Sequence, residues 1–371
     1  MKLRIQHRRS PSCHCLLKMT AICVLDANGR VLLETMVDSA PEAIAGRLHE
    51  FGQPFERIGL EAGPLSQWIY AGLVDVGLAA ICVETRHMHA ALSARINKTD
   101  RNDARGIAQM MRVGLFKAVH VKTPASQHRR LLLTSRKLLQ RKIYDIENDL
   151  RGSLRNFGLK VGVVGKIKFE DRIRELVADH SFVAAVVAPL LEARAALRAQ
   201  FAKLHRMLLD LVQVDPVCRR LMSAPGVGPI VALTFRTCVD NPARFSRSKC
   251  VGAHYGLTPR IYQSGEISRT GRISRSGDVI LRSSLYEAAL VVLTGPGRWN
   301  PLKAWGIAVA RRRGMQKAMV AVARKLAIIL HRMWRDDTDF RWCAATTQRK
   351  TTTDSTSSML EEASREDDGI G

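Results

Sequence analysis

The spacing of apolar residues changes once along this chain of 371 residues, close to Pro124, and this change limits the fold more than any other feature. Before Pro124, short apolar runs alternate with amphipathic stretches, which is typical of a sheet covered by helices. After Pro124, apolar residues recur at intervals of three and four, which is typical of helices. The sequence therefore predicts an α/β domain followed by helical domains.

The α/β part predicts four strands and two helices between residues 20 and 83. Residues 20–25 and 31–36 flank the turn Ala27-Asn28-Gly29, so we expect them to form a hairpin. The short apolar runs at residues 58–61 and 78–83 predict buried strands. Helices are expected from residue 39 to 49 and from residue 65 to 76.

Two long helices are predicted after Pro124, with the glycine-containing residues 158–165 near the turn between them. Their apolar residues alternate in the a/d pattern of an antiparallel coiled-coil hairpin. The first helix carries Leu139, Ile143, Ile146, Leu150, Leu154 and Phe157, and the second carries Leu197, Phe201, Leu204, Leu208 and Leu211. The basic residues expected on the outer face include Arg129, Arg130, Arg136, Lys137, Arg141 and Lys142.

A third block, residues 221–334, predicts a compact and mostly helical domain, with helices at 279–293 and 316–333. Beyond residue 345 the composition changes to Thr, Ser and charged residues, and we expect residues 345–371 to be disordered.

The chain contains 58 Lys and Arg residues and 34 Asp and Glu residues, which gives a net charge of +24. This charge is the strongest indication of a partner in the sequence. Such an excess predicts a polyanion, with nucleic acid first and an anionic membrane surface second. The longest apolar run, residues 182–191, is interrupted by Pro189 and is too short to span a bilayer. No membrane partner is expected. Eight cysteines without paired spacing predict reduced thiols in a cytoplasmic protein.

Three carboxylates are candidate metal ligands. Glu61 ends an apolar strand, where a charged side chain would face a cleft at the edge of the sheet. Asp100 and Asp103 are three residues apart, so at the start of a helix they would share one face. Carboxylate oxygens suit Mg²⁺. The alternative is that Asp100 caps the helix while Asp103 offsets Arg101 or Arg105 on a solvated face.

The glycine turn Ala224-Pro225-Gly226-Val227-Gly228-Pro229 predicts a helix, a tight turn and a second helix. Gly226 and Gly228 would allow backbone N–H groups to approach a DNA phosphate closely. The alternative is a turn that only packs two helices together.

Ser264 precedes a glycine and is expected in an exposed turn surrounded by arginines. A serine hydroxyl in such a place could attack a phosphodiester while neighbouring guanidinium groups stabilise the developing charge. The alternative is a turn serine beside arginines that only hold phosphate. The arginines in question are Arg260, Arg269, Arg272, Arg275 and Arg282.

Five ordered motifs between about residues 18 and 334 resemble the DEDD transposases of the insertion sequence one hundred and ten family, which are related to Piv-type DNA invertases. The motifs are Glu61-Ala62-Gly63, Asn97-Lys98-Thr99-Asp100-Arg101-Asn102-Asp103-Ala104, Pro225-Gly226-Val227-Gly228, Gly256-Leu257-Thr258-Pro259-Arg260 with Ser264-Gly265, and Ile273-Ser274-Arg275-Ser276-Gly277-Asp278 through Leu281-Arg282.

The resemblance implies a RuvC-like (RNase H-like) α/β domain, a helical coiled-coil insertion, and a mostly α C-terminal transposase domain with a helix-hairpin-helix-like element. It implies that Glu61, Asp100 and Asp103 bind Mg²⁺ or Mn²⁺, and that Ser264 is the nucleophile. It further implies DNA partners (element ends and target), a structured guide RNA, a homo-oligomer such as a dimer or tetramer with an active site composed of parts from different subunits, and a nucleoid-associated location in the bacterial cytoplasm. The expected domains are residues 20–123, 124–214 and 215–335, after an atypical segment at 1–19.

One position departs from the family pattern. The first acid of the family lies on the first strand, but alignment on Lys18 puts His14 in its place, and residues 4–15 contain no carboxylate. Pro11 and several arginines are unsuited to a central strand. We therefore predict that residues 1–15 form no regular buried strand, that the strand from Thr20 is exposed along one edge, and that at most three carboxylates bind metal.

The sequence as a whole predicts a transposase or site-specific recombinase that exchanges DNA strands through a serine and a metal-binding carboxylate set. Two alternatives remain open. One is a RuvC-like, metal-dependent DNA junction nuclease in which Ser264 is structural. The other is a nucleic-acid-binding protein without activity, since the first acid is missing.

Overall fold

The computed structural model describes residues 2–7, 18–86, 88 and 99–342, of which 2–7 are described by their backbone alone. The chain divides into two compact units, Met1–Pro124 and Ala125–Gly371. The boundary coincides with the predicted change of pattern at Pro124. Residues 345–371, expected to be disordered, lie outside the described residues, and so does His14.

The first unit contains a five-stranded sheet with the order β3-β2-β1-β4-β5. β1 pairs antiparallel with β2 and parallel with β4, β2 pairs antiparallel with β3, and β4 pairs parallel with β5. The predicted hairpin and the two predicted buried strands are confirmed. The strands are β1 (Lys2–His7), β2 (Met19–Leu25), β3 (Val31–Asp38), β4 (Arg57–Glu61) and β5 (Ala80–Val83).

The prediction of an absent first strand is wrong. β1 occupies the centre of the sheet, with Ile5 paired to Ile22 on one side and to Leu60 on the other. β2 is therefore not exposed along an edge. The physical reason is that the ladder is formed by backbone N–H and C=O groups, so a segment rich in basic residues can complete it. The sequence Lys2-Leu3-Arg4-Ile5-Gln6-His7 does alternate polar and apolar residues, and it contains no carboxylate.

Helices cover both faces of this sheet. On one face, Ile22 and Leu60 pack against the first two helices through Ile44 and Leu48 among others. On the other face, residues of β2 including Cys23 pack against small side chains of the third helix. These helices are α1 (Pro41–Glu50), α2 (Ser66–Asp75) and α3 (Asp100–Arg112).

The second unit begins with two long antiparallel helices, α4 (Pro124–Arg155) and α6 (Ser181–Val214), joined through the short α5 (Phe169–Leu176). Arg194 on α6 is buried and forms an ion pair of 2.7 Å with Glu147 on α4. Nearby, Leu150 and Leu154 of α4 share a core with Val187 and Leu191 of α6. The antiparallel pair of long helices is confirmed, and the coiled coil in the strict sense stays a prediction.

Three of the arginines expected on the outer face of α4 instead bind other parts of the second unit. Arg129 pairs with Asp215 at 3.1 Å, and Arg130 pairs with Asp278 at 2.6 Å. Arg136 is buried. The heptad pattern could not show this, because the partners lie far away in the sequence. Lys137, Arg141 and Lys142 are exposed as expected.

The rest of the second unit is a helical core with one exposed hairpin of strands. Leu285 and Val322 are fully buried in this core, which also includes Leu132 and Leu208 of the long helices. The helices predicted at 279–293 and 316–333 are confirmed. The elements are α7 (Pro216–Leu221), α8 (Pro229–Val239), α9 (Lys249–His254), β6 (Pro259–Ser264), β7 (Ile267–Ile273), α10 (Val279–Thr294), α11 (Pro301–Arg313) and α12 (Met315–Arg335). Within the described part of the chain, none of the helices has the length and hydrophobicity needed to cross a bilayer.

Candidate active site

Glu61 is the last residue of β4 and is half-buried. Side chains alternate along a strand, and Ile58 and Leu60 pack towards α1 and α2. Gly59 and Glu61 therefore face the other side of the sheet. A Cβ atom on Gly59 would lie 2.7 Å from Cγ of Met111, so α3 approaches this strand closely. Glu61 thus lies at the end of β4, on the face that α3 covers.

Asp100 and Asp103 lie in the first turn of α3. The residue that caps this helix is Thr99, whose hydroxyl oxygen accepts a hydrogen bond from the backbone N–H of Asn102 at 3.1 Å. The alternative in which Asp100 is the cap is therefore wrong. Both aspartates are half-buried.

The first turn of α3 lies at the same end of the sheet as Glu61. The opposite end of α3 contacts the turn between β2 and β3, where Gln109 donates to the carbonyl of Gly29 at 3.0 Å and Arg112 donates to that of Ala27 at 3.2 Å. That turn follows Leu25 in the sequence. Leu25 and Arg57, the first residue of β4, both pair with Lys2, so the turn lies at the end of the sheet where β4 begins. Glu61, at the other end of β4, is therefore on the side of the first turn of α3.

A second observation brings Asp103 towards Glu61. Asp103 is four residues before Ile107, so the two share a helix face one turn apart. Ile107 belongs to the same buried cluster as Val83. Val83 is the register partner of Glu61. The structure thus brings the three predicted carboxylates to one end and one face of the sheet.

The chemistry of this donor set fits a divalent cation, because Mg²⁺ and Mn²⁺ take hard oxygen ligands. Among the described residues, however, no group of three or more His, Cys, Asp or Glu side chains is arranged to hold an ion. Residues 2–7 add no acid from the central strand. A divalent cation at these carboxylates would therefore need phosphate oxygens and water to complete its coordination.

Glu34 on β3 is a residue of this region that sequence analysis missed. Its side chain is only 11 % exposed and accepts hydrogen bonds from Arg101 and from Arg105, whose Nη2 lies 2.8 Å away. The hydrogen bond from Arg105 holds the pKa of Glu34 below its usual value, although burial acts in the opposite direction. Arg101 and Arg105 therefore neutralise Glu34, and the three side chains tie β3 to the turn that carries Asp100 and Asp103.

Ser264 is the last residue of β6 and pairs with Ile267, the first residue of β7. Gly265 and Glu266 form the turn, and Gly265 has φ of 54°, a conformation that favours glycine. Ser264 is exposed, as are nearly all residues of both strands. The expected exposed turn serine is confirmed.

Strand alternation places Ser264 on one face of the hairpin with Arg260 and Tyr262. Arg269 pairs with Tyr262 and lies on the same face. A β-bulge sets Gly271 and Arg272 opposite the single residue Arg260. The flanking pairs, Ile261 with Thr270 and Pro259 with Ile273, lie on the opposite face of the hairpin. The residues next to them, Gly271 and Arg272, therefore lie on the face of Arg260. We call this surface the serine face: Arg260, Tyr262, Ser264, Arg269, Gly271 and Arg272.

The other two predicted arginines lie next to the hairpin and have different environments. Arg275 is exposed and has φ of 55°. Arg282 is half-buried, and its Nη1 donates to the carbonyls of Ser276 at 2.5 Å and Gly277 at 3.3 Å. Arg282 therefore holds the loop that carries Arg275.

The glycine turn connects α7 to α8, as predicted. Gly226 has φ of 73°, and a Cβ atom there would lie 2.4 Å from the carbonyl oxygen of Ala288 on α10. Gly228 is exposed and open, with no atom within 4 Å of an added Cβ. Packing against α10 therefore explains Gly226, whereas Gly228 leaves the start of α8 accessible.

A basic groove in the second unit was also missed. It encloses about 1080 Å³ above an apolar floor that includes Leu302, Ile329 and Met333. Its residues are scattered between positions 246 and 341, so no local motif could indicate it. The charged residues that line it are Arg247, Lys249, Lys325, Arg332, Arg335 and Arg341 against Asp336 and Asp339.

Known protein families match both units. Residues 18–158 match the transposase family of the DEDD, IS110 type, and residues 218–300 match the family described as Transposase IS116/IS110/IS902. The first match begins at residue 18, so residues 1–17, which include β1, lie outside it. A DEDD transposase domain implies a RuvC-like fold, and the mixed α/β architecture of the first unit agrees with it.

Curated relatives include three transposases. The transposase for insertion sequence element IS1111A of Coxiella burnetii is 28 % identical over 279 residues, which cover 72 % of this chain and 74 % of the relative. The putative transposase y4pF/y4sB of Sinorhizobium fredii is 29 % identical, covering 66 % of this chain and 64 % of its own. The probable family 20 transposase of Pseudomonas aeruginosa is 28 % identical, and the match covers 66 % of this chain and 74 % of the relative. The chain belongs to the IS110 family of DEDD transposases and is an insertion-sequence transposase.

Proposed function

We propose that this transposase exchanges DNA strands through Ser264, assisted by a divalent cation bound to Glu61, Asp100 and Asp103. The hydroxyl oxygen of Ser264 forms a bond to phosphorus while the bond from phosphorus to a sugar oxygen breaks. The serine hydroxyl loses one proton and the departing sugar oxygen gains one. The phosphoserine link keeps the energy of the phosphodiester, so a hydroxyl of another strand can reverse the step and rejoin DNA.

The serine face is the observation that carries this proposal. It combines an exposed hydroxyl with three guanidinium groups, those of Arg260, Arg269 and Arg272. Guanidinium groups bind phosphate in a bidentate manner and stabilise the negative charge of the phosphoryl transition state. Arg275 adds a fourth cation beside the hairpin, and Arg282 supports the loop that holds it.

The carboxylates of the first unit have a distinct role in this proposal. When bound there, Mg²⁺ or Mn²⁺ would neutralise and polarise phosphate oxygens. Glu61 contributes from the end of β4, and Asp100 and Asp103 contribute from the first turn of α3. Glu34, through Arg101 and Arg105, keeps that turn against the sheet.

DNA binding also involves surfaces outside the serine face in this proposal. Gly228 leaves backbone N–H groups at the start of α8 accessible to a phosphate, and Gly226 fixes the turn against α10. The rim of the basic groove supplies further cations. The DNA partners are the element ends and the target site.

A structured guide RNA and a homo-oligomer complete the proposal. Lys137, Arg141 and Lys142 on α4 present exposed charge that suits an RNA backbone. Leu138, Met207 and other apolar side chains of the long helices are about half exposed, which suits contact with a second copy.

Trapping of a covalent protein–DNA adduct on a supercoiled plasmid that carries the element ends tests the serine. The full chain should form an adduct that denaturing gels retain, and Ser264→Ala should form none. Ser268→Ala is the matched control, because Ser268 lies on the same hairpin but on the opposite face, and this variant should form the adduct normally. An adduct that survives Ser264→Ala would remove the serine from its role.

The same gels separate the two alternative functions. A junction nuclease would cut DNA in a metal-dependent manner and leave free ends without attached protein. A binding protein without activity, which the lack of a carboxylate in β1 favours, would bind DNA with a steep salt dependence and cut nothing at any Mg²⁺ concentration. Under the main proposal, Glu61→Gln abolishes the adduct and leaves DNA affinity nearly unchanged.

A further inference from the structure

Tyr262 is an exposed aromatic residue of the serine face, and its ring lies beside Gly271. A Cβ atom on Gly271, in the neighbouring strand, would lie 3.4 Å from Cε2 of Tyr262, which is van der Waals distance from the ring. The glycine therefore lets the ring rest on the backbone of β7. Tyr262 is nevertheless 60 % exposed. In the described part of the chain its hydroxyl has no hydrogen-bond partner and its ring no aromatic or cationic neighbour.

The position of this ring relative to the serine is fixed by the strand. Tyr262 and Ser264 are two residues apart on one face, a separation of about 6.6 Å along β6. Arg269 faces Tyr262 across the hairpin, and Arg260 is two residues before it. An exposed aromatic ring on the same face as several arginines is a combination that proteins use to hold unpaired nucleotides, since the cations bind phosphates and the ring stacks on a base.

Burial in the second unit does not explain the ring. The hairpin has no buried side chain along β6, and Ile261, on the opposite face, is 70 % exposed. An isolated two-stranded hairpin is marginally stable in water, so such a surface is expected to gain a partner. The charge of the serine face selects a polyanion over an apolar partner.

We propose that Tyr262 is a stacking platform for one unpaired DNA base next to the phosphate that Ser264 attacks. This inference rests on the proposed function, and it defines the substrate class as DNA in which a base at the cleavage site has left the helical stack. Bases inside a duplex are stacked on both sides and cannot reach the ring. Stacking is tolerant of base identity, so Tyr262 selects unpaired DNA without selecting a sequence.

The test uses the full chain without divalent cation, so that no strand is cut. The probe is a DNA duplex with a single unpaired 2-aminopurine, whose fluorescence falls when it stacks, compared with the same duplex fully paired. The chain should quench the unpaired probe and should prefer the bulged duplex. Tyr262→Ala should lose the quenching and about ten- to a hundredfold of affinity for the bulged duplex only.

Three variants control this experiment. Tyr262→Phe keeps the ring and should behave like the natural chain. Gly271→Val should displace the ring and weaken quenching, even if Tyr262→Ala proves to fold poorly. Ile261→Ala, on the opposite face, should change nothing.

The proposal is overturned if Tyr262→Ala keeps the natural preference for the bulged duplex, or if Ile261→Ala loses it equally. A preference for single-stranded RNA over the bulged DNA would also overturn it and assign the platform to a guide RNA. Failure of the proposed function is distinguishable, because Ser264→Ala should quench the probe normally whether or not the serine is the nucleophile.

Discussion

Arg130 on α4 pairs with Asp278, the residue that caps α10. Nη2 of Arg130 lies 2.6 Å from Oδ2 of Asp278. The other carboxylate oxygen, Oδ1, accepts a hydrogen bond from the backbone N–H of Leu281 at 2.9 Å. One side chain thus begins α10 and ties it to the first long helix. Asp278 belongs to a motif that resembles the transposase family, and this geometry gives it a structural role.

Two substitutions at this position should therefore differ. Asp278→Ala removes both the cap and the ion pair and should lower the free energy of unfolding by about 2 to 3 kcal/mol. Asp278→Asn keeps an oxygen for the cap and should lose about half as much. Chemical denaturation measures both, with Asp145→Ala as control because its pair with Lys142 is exposed. Equal losses for the two variants would show that the cap contributes little.

Substitution of the two glycines of the α7–α8 turn should affect the stability of the chain to different degrees. Gly226→Ala forces a left-handed residue and a clash with the carbonyl of Ala288, so it should lower the free energy of unfolding by at least about 2 kcal/mol. Gly228→Ala has open space and should leave stability within about 0.5 kcal/mol. Thermal unfolding measures both. A stable Gly226→Ala variant would contradict the close approach to α10.

Local patterns predicted the elements that local interactions determine. The hairpin at residues 20–36 and the helix at 279–293 follow from alternation, turn residues and periodicity, which neighbouring residues set. The exposed turn at Ser264 followed from a serine before a glycine. The first strand could not be predicted in this way. Its place depends on hydrogen bonds to β2 and β4, whose partners are 13 to 55 residues away in sequence.

The interactions that hold the candidate site together are also long-range. Glu34 and Arg105 are 71 residues apart, and only the fold shows that they meet. The β-bulge that brings Arg272 to the serine face has no signature in the sequence beyond Gly271. The sequence could therefore indicate candidate site residues, whereas it could not indicate the long-range contacts that hold them in place.

The contact between Arg136 and His205 predicts acid sensitivity of the long helices. Nε of Arg136 donates to Nδ1 of His205 at 3.3 Å, so this nitrogen has to be unprotonated. Burial, and then the charge of Arg136, lower the pKa of His205. As the pH falls, His205 therefore becomes protonated at a higher pH in the unfolded chain than in the folded chain. The stabilisation that unprotonated His205 gives the folded chain is complete above the ordinary histidine pKa of about 6.5. It decreases as the pH falls towards the lowered pKa of His205 in the folded chain.

Thermal unfolding at pH 7.5 and at pH 5 measures this effect. His205→Gln keeps an acceptor without a titrating group, so this variant should lose less stability between the two values than the natural chain. His331 is buried, also has a lowered pKa and is present in both proteins, so it contributes equally to the loss of stability in both. The same pH dependence in both proteins would exclude His205 as a cause.

Glu34→Gln should loosen the turn that carries Asp100 and Asp103, the proposed metal ligands. The substitution removes a carboxylate that binds Arg101 and Arg105 and should cost about 2 kcal/mol of unfolding free energy at pH 7. Because the pKa of Glu34 is lowered, the difference should shrink as the pH falls below the usual glutamate value. Adduct formation should also slow. Glu50→Gln, which breaks the exposed pair with Arg47, is the control and should have little effect.

The central strand offers a way to complete the carboxylate set. Ile5 pairs with Leu60 in the parallel ladder of β1 and β4, and the next residues along the two strands are Gln6 and Glu61. Positions 6 and 61 thus both follow directly after the last register pair of the two strands. We predict that Gln6→Asp adds a fourth carboxylate and raises the affinity for Mn²⁺, measured by calorimetry, by at least about tenfold, together with the rate of adduct formation.

The same prediction can be tested by melting temperatures, without an activity measurement. Two carboxylates at neighbouring register positions repel each other without a cation, so Gln6→Asp should have a lower melting temperature than the natural chain in the presence of EDTA. Mn²⁺ binds only the folded site and should raise the melting temperature of the variant more than that of the natural chain. Gln6→Asn, of nearly the same shape but uncharged, should show neither change. If Gln6→Asp and Gln6→Asn respond to Mn²⁺ alike, position 6 does not contribute to the proposed metal site.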